Sequence, residues 1–177
     1  MARHTDPLSD ARPLLRRVYA FISYRIGPGP DAEDVLSEVV ERALRYRDGY
    51  DPERGTPLAW LTGIARRVIA NRAGARLATA TELPEVADGH DIAEESVERL
   101  SLHAALAQMP ARDRELLALR YGADMKASQI AALVGMQTNA VEVALHRALT
   151  RLRAEMQTAD VPQSTRGPRR VRTAPDV

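Results

Sequence analysis

The chain of 177 residues has no cysteine and few aromatic residues. Without cysteine it has no disulfide framework, no thiolate zinc site and no cysteine nucleophile. Aromatic residues make up 4% of the sequence although hydrophobic residues make up 45%. Because β-sandwiches depend on aromatic and β-branched side chains, a chain rich in alanine and leucine packs most readily as helices. We therefore predict an all-α protein with a packed core.

The sequence also lacks long apolar segments and any recognisable group of catalytic residues. The N-terminal stretch MARHTDPLSDARPLL lacks the apolar core of a signal peptide. No run approaches the roughly 18 apolar residues of a membrane span. The four histidines are scattered at positions 4, 90, 103 and 146, and no Gly-rich phosphate loop follows a strand. We expect a cytoplasmic protein without a membrane partner, which is no enzyme and uses no metal, cofactor or small-molecule substrate.

Charge is nearly balanced overall but uneven along the chain. The formal net charge is +1, so global electrostatics alone would not make the chain a strong nucleic-acid binder. Between Arg76 and Arg99 there are seven acidic residues and no lysine or arginine, whereas residues 166–172, RGPRRVR, contain four arginines and no acid. The acidic stretch also contains Pro84 and Gly89 and lacks sustained periodicity, which is typical of a linker.

Hydrophobic periodicity predicts three helices in the first part of the chain. The first ends at the GPGP stretch at 27–30, the second starts from an N-cap at Asp31, and the third follows a loop at 47–57. The predicted inward residues of the second helix are Val35, Leu36, Val39, Val40, Ala43 and Leu44. Those of the third helix are Trp60, Leu61, Ile64 and Val68, with Ile69 at the margin. The predicted outward residues of the third helix are Arg66, Arg67, Asn71, Arg72 and Arg76.

The second part of the chain has the layout of a helix-turn-helix, in which a short helix, a Gly-containing turn and a longer helix follow one another. The short helix is predicted at 129–134, with Gly135 taking a left-handed conformation at its end and Gln137 as the N-cap of the longer helix. The longer helix has a predicted buried stripe of Val141, Leu145, Ala148 and Leu152. An ordinary helical hairpin with a solvated polar face explains this spacing about as well.

Together these patterns predict two small helical domains joined by a flexible acidic linker. The first domain spans 8–77, the linker 78–96 and the second domain, with the helix-turn-helix, 97–157. A basic tail at 158–177, rich in proline and glycine, is predicted to be disordered.

Both predicted domains resemble the extracytoplasmic-function (ECF, group 4) sigma factors of the sigma-70 family. Residues 104–153 resemble the family's C-terminal DNA-binding domain. Residues 31–44 look like its core-polymerase-binding helix, and residues 60–76 look like its promoter-melting helix. The motifs that carry the C-terminal match are Met109-Pro110, Leu119-Arg120-Tyr121, Ile130-Ala131, Val134-Gly135, Val141 and Leu145-His146-Arg147-Ala148. Two similar segments in the family's order, separated by a linker, are more specific than either alone.

For the first domain the resemblance implies docking on the clamp helices of the β′ subunit and recognition of the −10 promoter element as it melts. The implied polymerase-binding residues are Asp31, Glu33, Asp34, Glu38 and Arg42, although solvated helix charges would look the same. The implied −10 contacts are Arg66, Arg67, Asn71, Arg72 and Arg76, with Tyr46 and Tyr50 beside a loop that captures an unstacked base in the family. Trp60 is expected in the core. The family commonly has Asp at the position of Asn71, so the contact there is expected to differ.

For the second domain the resemblance implies recognition of the −35 duplex. The residues expected to face the groove are Thr138, Asn139, Glu142, Val143, His146 and Arg147. Family members often carry a basic residue where Glu142 stands, so we expect Arg112, Arg114 and Arg120 to supply phosphate contacts instead. Glu142 can accept from a cytosine amino group, and Val143 can touch a thymine methyl.

The resemblance thus implies a promoter-specificity subunit whose partners are core RNA polymerase (its β′ and β subunits) and promoter DNA, with an anti-sigma factor as a candidate regulator. In the family the acidic linker threads through polymerase channels; a plain solvated linker is the alternative. A stand-alone helix-turn-helix regulator with a helical dimerisation or sensor domain is the alternative function. A small helical enzyme is disfavoured because no catalytic set converges.

Overall fold

The computed structural model describes residues 6–79 and 97–159, which form seven α-helices and two short helical turns and contain no strand. In chain order they are α1 (Ala11–Ile26), α2 (Pro30–Tyr46), a 3-10 turn (Arg47–Gly49), α3 (Pro57–Thr79), α4 (Val97–Gln108), α5 (Ala111–Leu117), a π turn (Ala118–Gly122), α6 (Ala127–Val134) and α7 (Thr138–Ala159). The all-α prediction is confirmed for these residues. Nearly all of the predicted acidic linker and basic tail lies outside the described residues.

The first half, residues 6–79, is a bundle in which α1, α2 and α3 pack against one another. Phe21 from α1, Val39 from α2 and Leu61 from α3 are completely buried at its centre. Each such side chain contributes roughly 1.5–3 kcal/mol when it leaves water. Trp60 is half-buried and packs against this core, as predicted.

The start and the outer edge of α2 differ from the prediction. Gly29 precedes the helix and Pro30 is its first residue, so the prediction of an N-cap at Asp31 is wrong. Proline suits the first helical position because its missing N–H would have no intrahelical partner there. Leu44, predicted to point inward, is 52% exposed because the buried stripe ends with Ala43.

The second half, residues 97–159, packs α4, α5 and α6 against α7. The predicted stripe of Val141, Leu145, Ala148 and Leu152 is buried, which confirms the inward face of α7. Gly135 ends α6 with φ 69° and ψ 37°, which confirms the left-handed turn of the helix-turn-helix. The short helix α6 begins at Ala127, two residues earlier than predicted.

The two halves share one hydrophobic core, a contact that no local sequence pattern predicted. α1 packs most extensively against the π turn, which is itself an unpredicted break in the helix that follows Pro110. At Gly122 an added Cβ would lie 2.9 Å from the backbone of Ala20 and Phe21, so only glycine permits this approach of the two chains. We call this arrangement of the two halves the closed packing.

Candidate nucleic-acid and polymerase interface

The outer face of α7 is a continuous polar surface opposite the buried stripe. Its six predicted groove-facing residues are all exposed: Thr138, Asn139, Glu142, Val143, His146 and Arg147. With 22 residues α7 is about 33 Å long, and a helix of this kind fits the roughly 12 Å width of the DNA major groove. Its first turn contains no acidic residue. The exposed pattern predicted from periodicity is therefore confirmed, whereas contacts with bases stay a prediction.

The three arginines predicted to support α7 are placed differently from one another. Arg112 is exposed, and its Nη2 lies 3.4 Å from the sulfur of Met136, just before α7 begins. Arg120 is exposed too, and its Nη1 donates to the carbonyl of Met125 at 3.0 Å. Arg114 turns inward, and within the described residues its buried Nε has no hydrogen-bond partner. Arg112 is thus the one of the three that adjoins the start of the proposed recognition helix.

The polar residues of α3 do not form the single outward face that periodicity predicted. Arg67 and Asn71, four residues apart, are exposed side by side on one surface of the helix. Arg66 instead faces the second half, where its Nε donates to Oε1 of Glu115 at 2.6 Å. Arg72 faces α2, and its Nε donates to Oε2 of Glu38 at 3.0 Å. The predicted outward placement is therefore wrong for Arg66 and Arg72, because both find carboxylates on neighbouring helices.

Arg76, the remaining residue of that predicted set, lies within α3, but its side chain is outside the described residues.

The two tyrosines near the 47–57 loop also differ. Tyr46 is 58% exposed and can stack on a base. Tyr50 packs its ring 5.5 Å from that of Trp60, and its hydroxyl donates to the carbonyl of Gly55 at 2.8 Å. Burial, with a smaller contribution from Asp51, raises the pKa of Tyr50. Tyr50 therefore shapes the loop, and Tyr46 is the better placed of the two for stacking.

A cavity of about 550 Å³ adjoins this loop and has walls from both halves. From the first half Tyr50, Trp60 and Arg67 line it, and from α6 in the second half Gln129 and Leu133 do so. The closed packing thus places α6 beside the loop that the resemblance assigns to base capture.

The polar face of α2 carries the predicted polymerase-binding residues. Asp31, Glu33 and Asp34 are exposed in its first turns, whereas Glu38 and Arg42 are half-buried. Glu38 accepts from Arg42 at 2.6 Å through Oε1 and from Arg72 through Oε2. Acids near the start of a helix also offset its dipole, so part of this charge has a structural role. The exposed remainder is an acidic surface suited to a basic helical partner.

Sequence reasoning missed the residues that join the two halves. Arg17 donates from Nε to the carbonyl of Ala123 at 2.8 Å and from Nη2 to that of Asp124 at 2.6 Å. Arg25 donates from Nη1 to the carbonyl of Ala111 at 2.9 Å. No local signal marks these arginines, because their partners are backbone carbonyls far along the chain.

Two absences apply to the described part of the chain alone. Within residues 6–79 and 97–159 no three His, Asp or Glu side chains are grouped so that they could hold a metal ion. None of the helices in these ranges is long and apolar enough to cross a membrane.

Comparisons with known proteins match both halves to one family. The family model for sigma-70 region 2 matches residues 11–76, and that for sigma-70 region 4 matches residues 99–152. The ECF RNA polymerase sigma factor SigD of Mycobacterium tuberculosis is 36% identical over 87% of this chain and 77% of its own length. The RNA polymerase sigma-E factor of Streptomyces avermitilis is 32% identical over 77% of this chain and 78% of its own length.

Solved structures show the same fold. The sigma factor RpoE of Bartonella quintana, in complex with the anti-sigma factor NepR, has a TM-score of 0.70 at 21% identity and covers 85% of this chain and 96% of its own. CnrH, in complex with the cytosolic domain of CnrY, has a TM-score of 0.60 at 26% identity over 85% of each chain. With both halves matched in order, the chain belongs to the sigma-70 family of RNA polymerase sigma factors and to its extracytoplasmic-function group.

Proposed function

We propose that this ECF sigma factor directs core RNA polymerase to promoters through three separate surfaces. The exposed acids of α2 dock on the clamp helices of β′, the Arg67–Asn71 surface of α3 follows the −10 strand as it melts, and the outer face of α7 enters the −35 major groove. In this division region 2 is the domain at 8–77 and region 4 the domain at 97–157.

The observation that carries the proposal is the exposed face of α7. All six residues predicted to face the groove are exposed, while the opposite stripe is buried, so the helix presents its side chains without any rearrangement of the second half. The face is poor in positive charge: Glu142 precedes Arg147, and Arg151 pairs with Asp113. We therefore expect the isolated protein to bind free duplex DNA weakly. Core polymerase holds both domains at one promoter, and this linkage raises the effective concentration of each domain at its DNA element.

An anti-sigma factor is a further proposed partner. The similar RpoE structure contains the anti-sigma factor NepR bound to its sigma factor, which supports an inhibitor of this kind for the present chain. Action on cytoplasmic polymerase places the proposed activity in the cytoplasm. None of these roles requires a chemical step by the chain itself.

In vitro transcription on a library of genomic fragments tests the proposal. The purified chain with core polymerase should produce promoter-specific starts, and neither component should do so alone. Changing both Asp31 and Glu33 to Lys should abolish core binding, because it reverses the charge of the α2 surface, whereas Glu98→Lys on the exposed side of α4 should not. Specific duplex binding by the chain alone, without any core-dependent start, would instead establish a stand-alone regulator.

A further inference from the structure

Helix α3 continues well beyond its last buried side chain. Within the described part of the chain that side chain is Ile69, yet the helix extends to Thr79. Of residues 70–75, five are exposed and only Arg72 is half-buried. Apolar burial therefore does not hold this end of the helix in place, although it contains Asn71, one of the two exposed residues that the proposed function assigns to the −10 strand.

We propose that Arg72 is a positioning residue for −10 recognition, which anchors the end of α3 on α2 and does not itself contact DNA. This inference rests on the proposed function, because it concerns how the Arg67–Asn71 surface is held. It differs from the role that the family resemblance implies for Arg72, which is a direct −10 contact.

Arg72 reaches α2 through one edge of its guanidinium. Both Nε and Nη2 lie 3.0 Å from Oε2 of Glu38, and Nη2 also lies 3.4 Å from the carbonyl oxygen of Asp34. The pair is partly shielded from solvent, with 37% of the Arg72 side chain and 27% of the Glu38 side chain exposed. Because a guanidinium is a rigid planar fork, an edge that binds a carboxylate on a neighbouring helix restricts where its own helix lies.

Glu38 is itself held in place on α2. Its other oxygen, Oε1, accepts from Nη2 of Arg42 at 2.6 Å, one helical turn further along. Each carboxylate oxygen therefore has a guanidinium partner, and Arg42 helps to set the orientation that Arg72 meets. A carboxylate that is already ordered loses little further side-chain entropy when it pairs with Arg72, which makes it a firm anchor.

Helix geometry separates Arg72 from the proposed DNA surface. At about 100° per residue, Arg67 and Asn71 lie within about 40° of each other around the helix axis, whereas Arg72 lies about 100° from Asn71. A strand that follows the Arg67–Asn71 surface therefore meets a different side of α3 from the side that contacts Glu38. Loss of Arg72 should release the end of the helix without removing a phosphate contact.

A spin label on the next residue tests the anchor in the isolated full chain. The sequence contains no cysteine, so Ala73→Cys supplies a single labelling site at an exposed position. Adjacent residues of a helix do not face each other, so the label reports the backbone rather than the Arg72 side chain. Arg72→Ala should shorten the rotational correlation time of the label at least about twofold, because the end of the helix loses its hold on α2.

Arg45→Ala is the matched control for the label. It removes another arginine that pairs with a carboxylate of α2, since Nη2 of Arg45 lies 2.6 Å from Oε1 of Glu41, but both partners belong to the same helix. The label should therefore keep its mobility in this variant. Equal label mobility in Arg72→Ala and in the protein that retains Arg72 would overturn the inference.

The salt dependence of DNA binding distinguishes an anchor from a DNA contact. Holoenzyme at saturating core polymerase is titrated with a single-stranded oligonucleotide that carries the −10 sequence of a mapped promoter. Arg72→Ala should weaken binding about tenfold with an unchanged log–log salt slope, because the surface is less preorganised but keeps its phosphate contacts. Arg67→Ala should weaken binding and lower the slope by about 0.7, as for one lost contact with a single strand. A slope lowered by about 0.7 in Arg72→Ala would overturn the inference.

Substitution of the partner gives an independent test in the same assay. If Arg72 acts through Glu38, Arg72→Ala should cause no further loss of oligonucleotide binding once Glu38 is changed to Ala. Additive losses would show a separate contact by Arg72, which would overturn the inference and leave the proposed function intact. A wild-type holoenzyme that neither binds the −10 strand nor starts transcription would instead overturn the proposed function, while the label at position 73 still tests the anchor.

Discussion

The two helices proposed to meet DNA, α3 and α7, present their polar side chains in different ways. Every predicted groove residue of α7 is exposed, whereas α3 exposes Arg67 and Asn71 and commits Arg66 and Arg72 to carboxylates within the protein. All the elements packed on α7 lie on its buried stripe, so its other face is left to solvent. α3 lies between α2 and the second half, and each neighbour holds one of its arginines in an ion pair.

The difference teaches that a proposed recognition surface can be fully exposed in one half of a protein and partly held in internal ion pairs in the other. In the closed packing the polar face of α7 is exposed to solvent, whereas Arg66 and Arg72 of α3 are held in ion pairs within the protein.

The largest expected effect distinguishes the committed arginine of α3 from the free one. Arg66→Ala removes two hydrogen bonds from a guanidinium, each worth about 1.5–3 kcal/mol when buried, and partial exposure places the loss near the lower end. We expect the free energy of unfolding to fall by about 3 kcal/mol, the sum of the two bonds at the lower end of that range. Arg67→Ala should leave the packing unchanged and weaken −10 DNA binding alone. Denaturant unfolding and the affinity for −10 DNA measure the two effects; destabilisation by Arg67→Ala equal to that by Arg66→Ala would remove the distinction.

The next effect concerns the charge of α7. Glu142→Lys replaces an exposed acid near the start of the helix with a residue that can reach a phosphate. We expect tighter but less selective −35 binding, with a salt dependence steeper by about 0.9 in the log–log slope, as for one added phosphate contact. Titration of matched and scrambled −35 duplexes at several salt concentrations measures it. An unchanged salt slope would mean that Glu142 does not lie near DNA.

A smaller effect compares Gly135, in the turn before α7, with Gly74, inside α3. Gly135→Ala forces a side chain into a left-handed conformation before α7 and should lower the free energy of unfolding by about 1 kcal/mol. Gly74→Ala fills open space on α3 and should raise it by up to about 1 kcal/mol through helix propensity. Denaturant unfolding of the full chain measures both changes. Equal destabilisation by the two substitutions would contradict the conformation assigned to Gly135.

The smallest expected effect is that of the tail, which belongs to neither helix. Deletion of residues 160–177, chosen for their proline and glycine content, should change core-dependent transcription by less than about twofold. Run-off transcription at equal protein concentration measures it. A large loss would show that the RGPRRVR segment contacts DNA or polymerase.

Features that depend on residues close together in the sequence could be predicted, whereas contacts between residues far apart could not. The buried stripe of α7 and the turn at Gly135 were predictable, because helix period and a glycine after an apolar run are local signals. The predicted N-cap of α2 lies two residues too late. The GPGP stretch reads as a helix break, but its last residue, Pro30, is the first residue of the helix. The exposure of Leu44 could not be predicted, because periodicity does not show where a neighbouring helix ends.

The placement of the α3 arginines needed information that the sequence pattern lacks. Arg66 meets a residue 49 positions away and Arg72 one 34 positions away, so neither pair leaves a local signal. The contact between α1 and the π turn could not be predicted from the sequence for the same reason. It depends on a backbone approach at Gly122 that no propensity indicates.

Promoter melting by an α3 variant tests the central claim most directly. Polymerase with the wild-type chain should make thymines of the −10 region reactive to permanganate. Polymerase with Arg67 and Asn71 both changed to Ala should retain core binding and lose at least about nine-tenths of that reactivity, because the strand loses the exposed contacts that the proposed function assigns to α3. Full permanganate reactivity in this double variant would contradict the assignment of α3 to promoter melting.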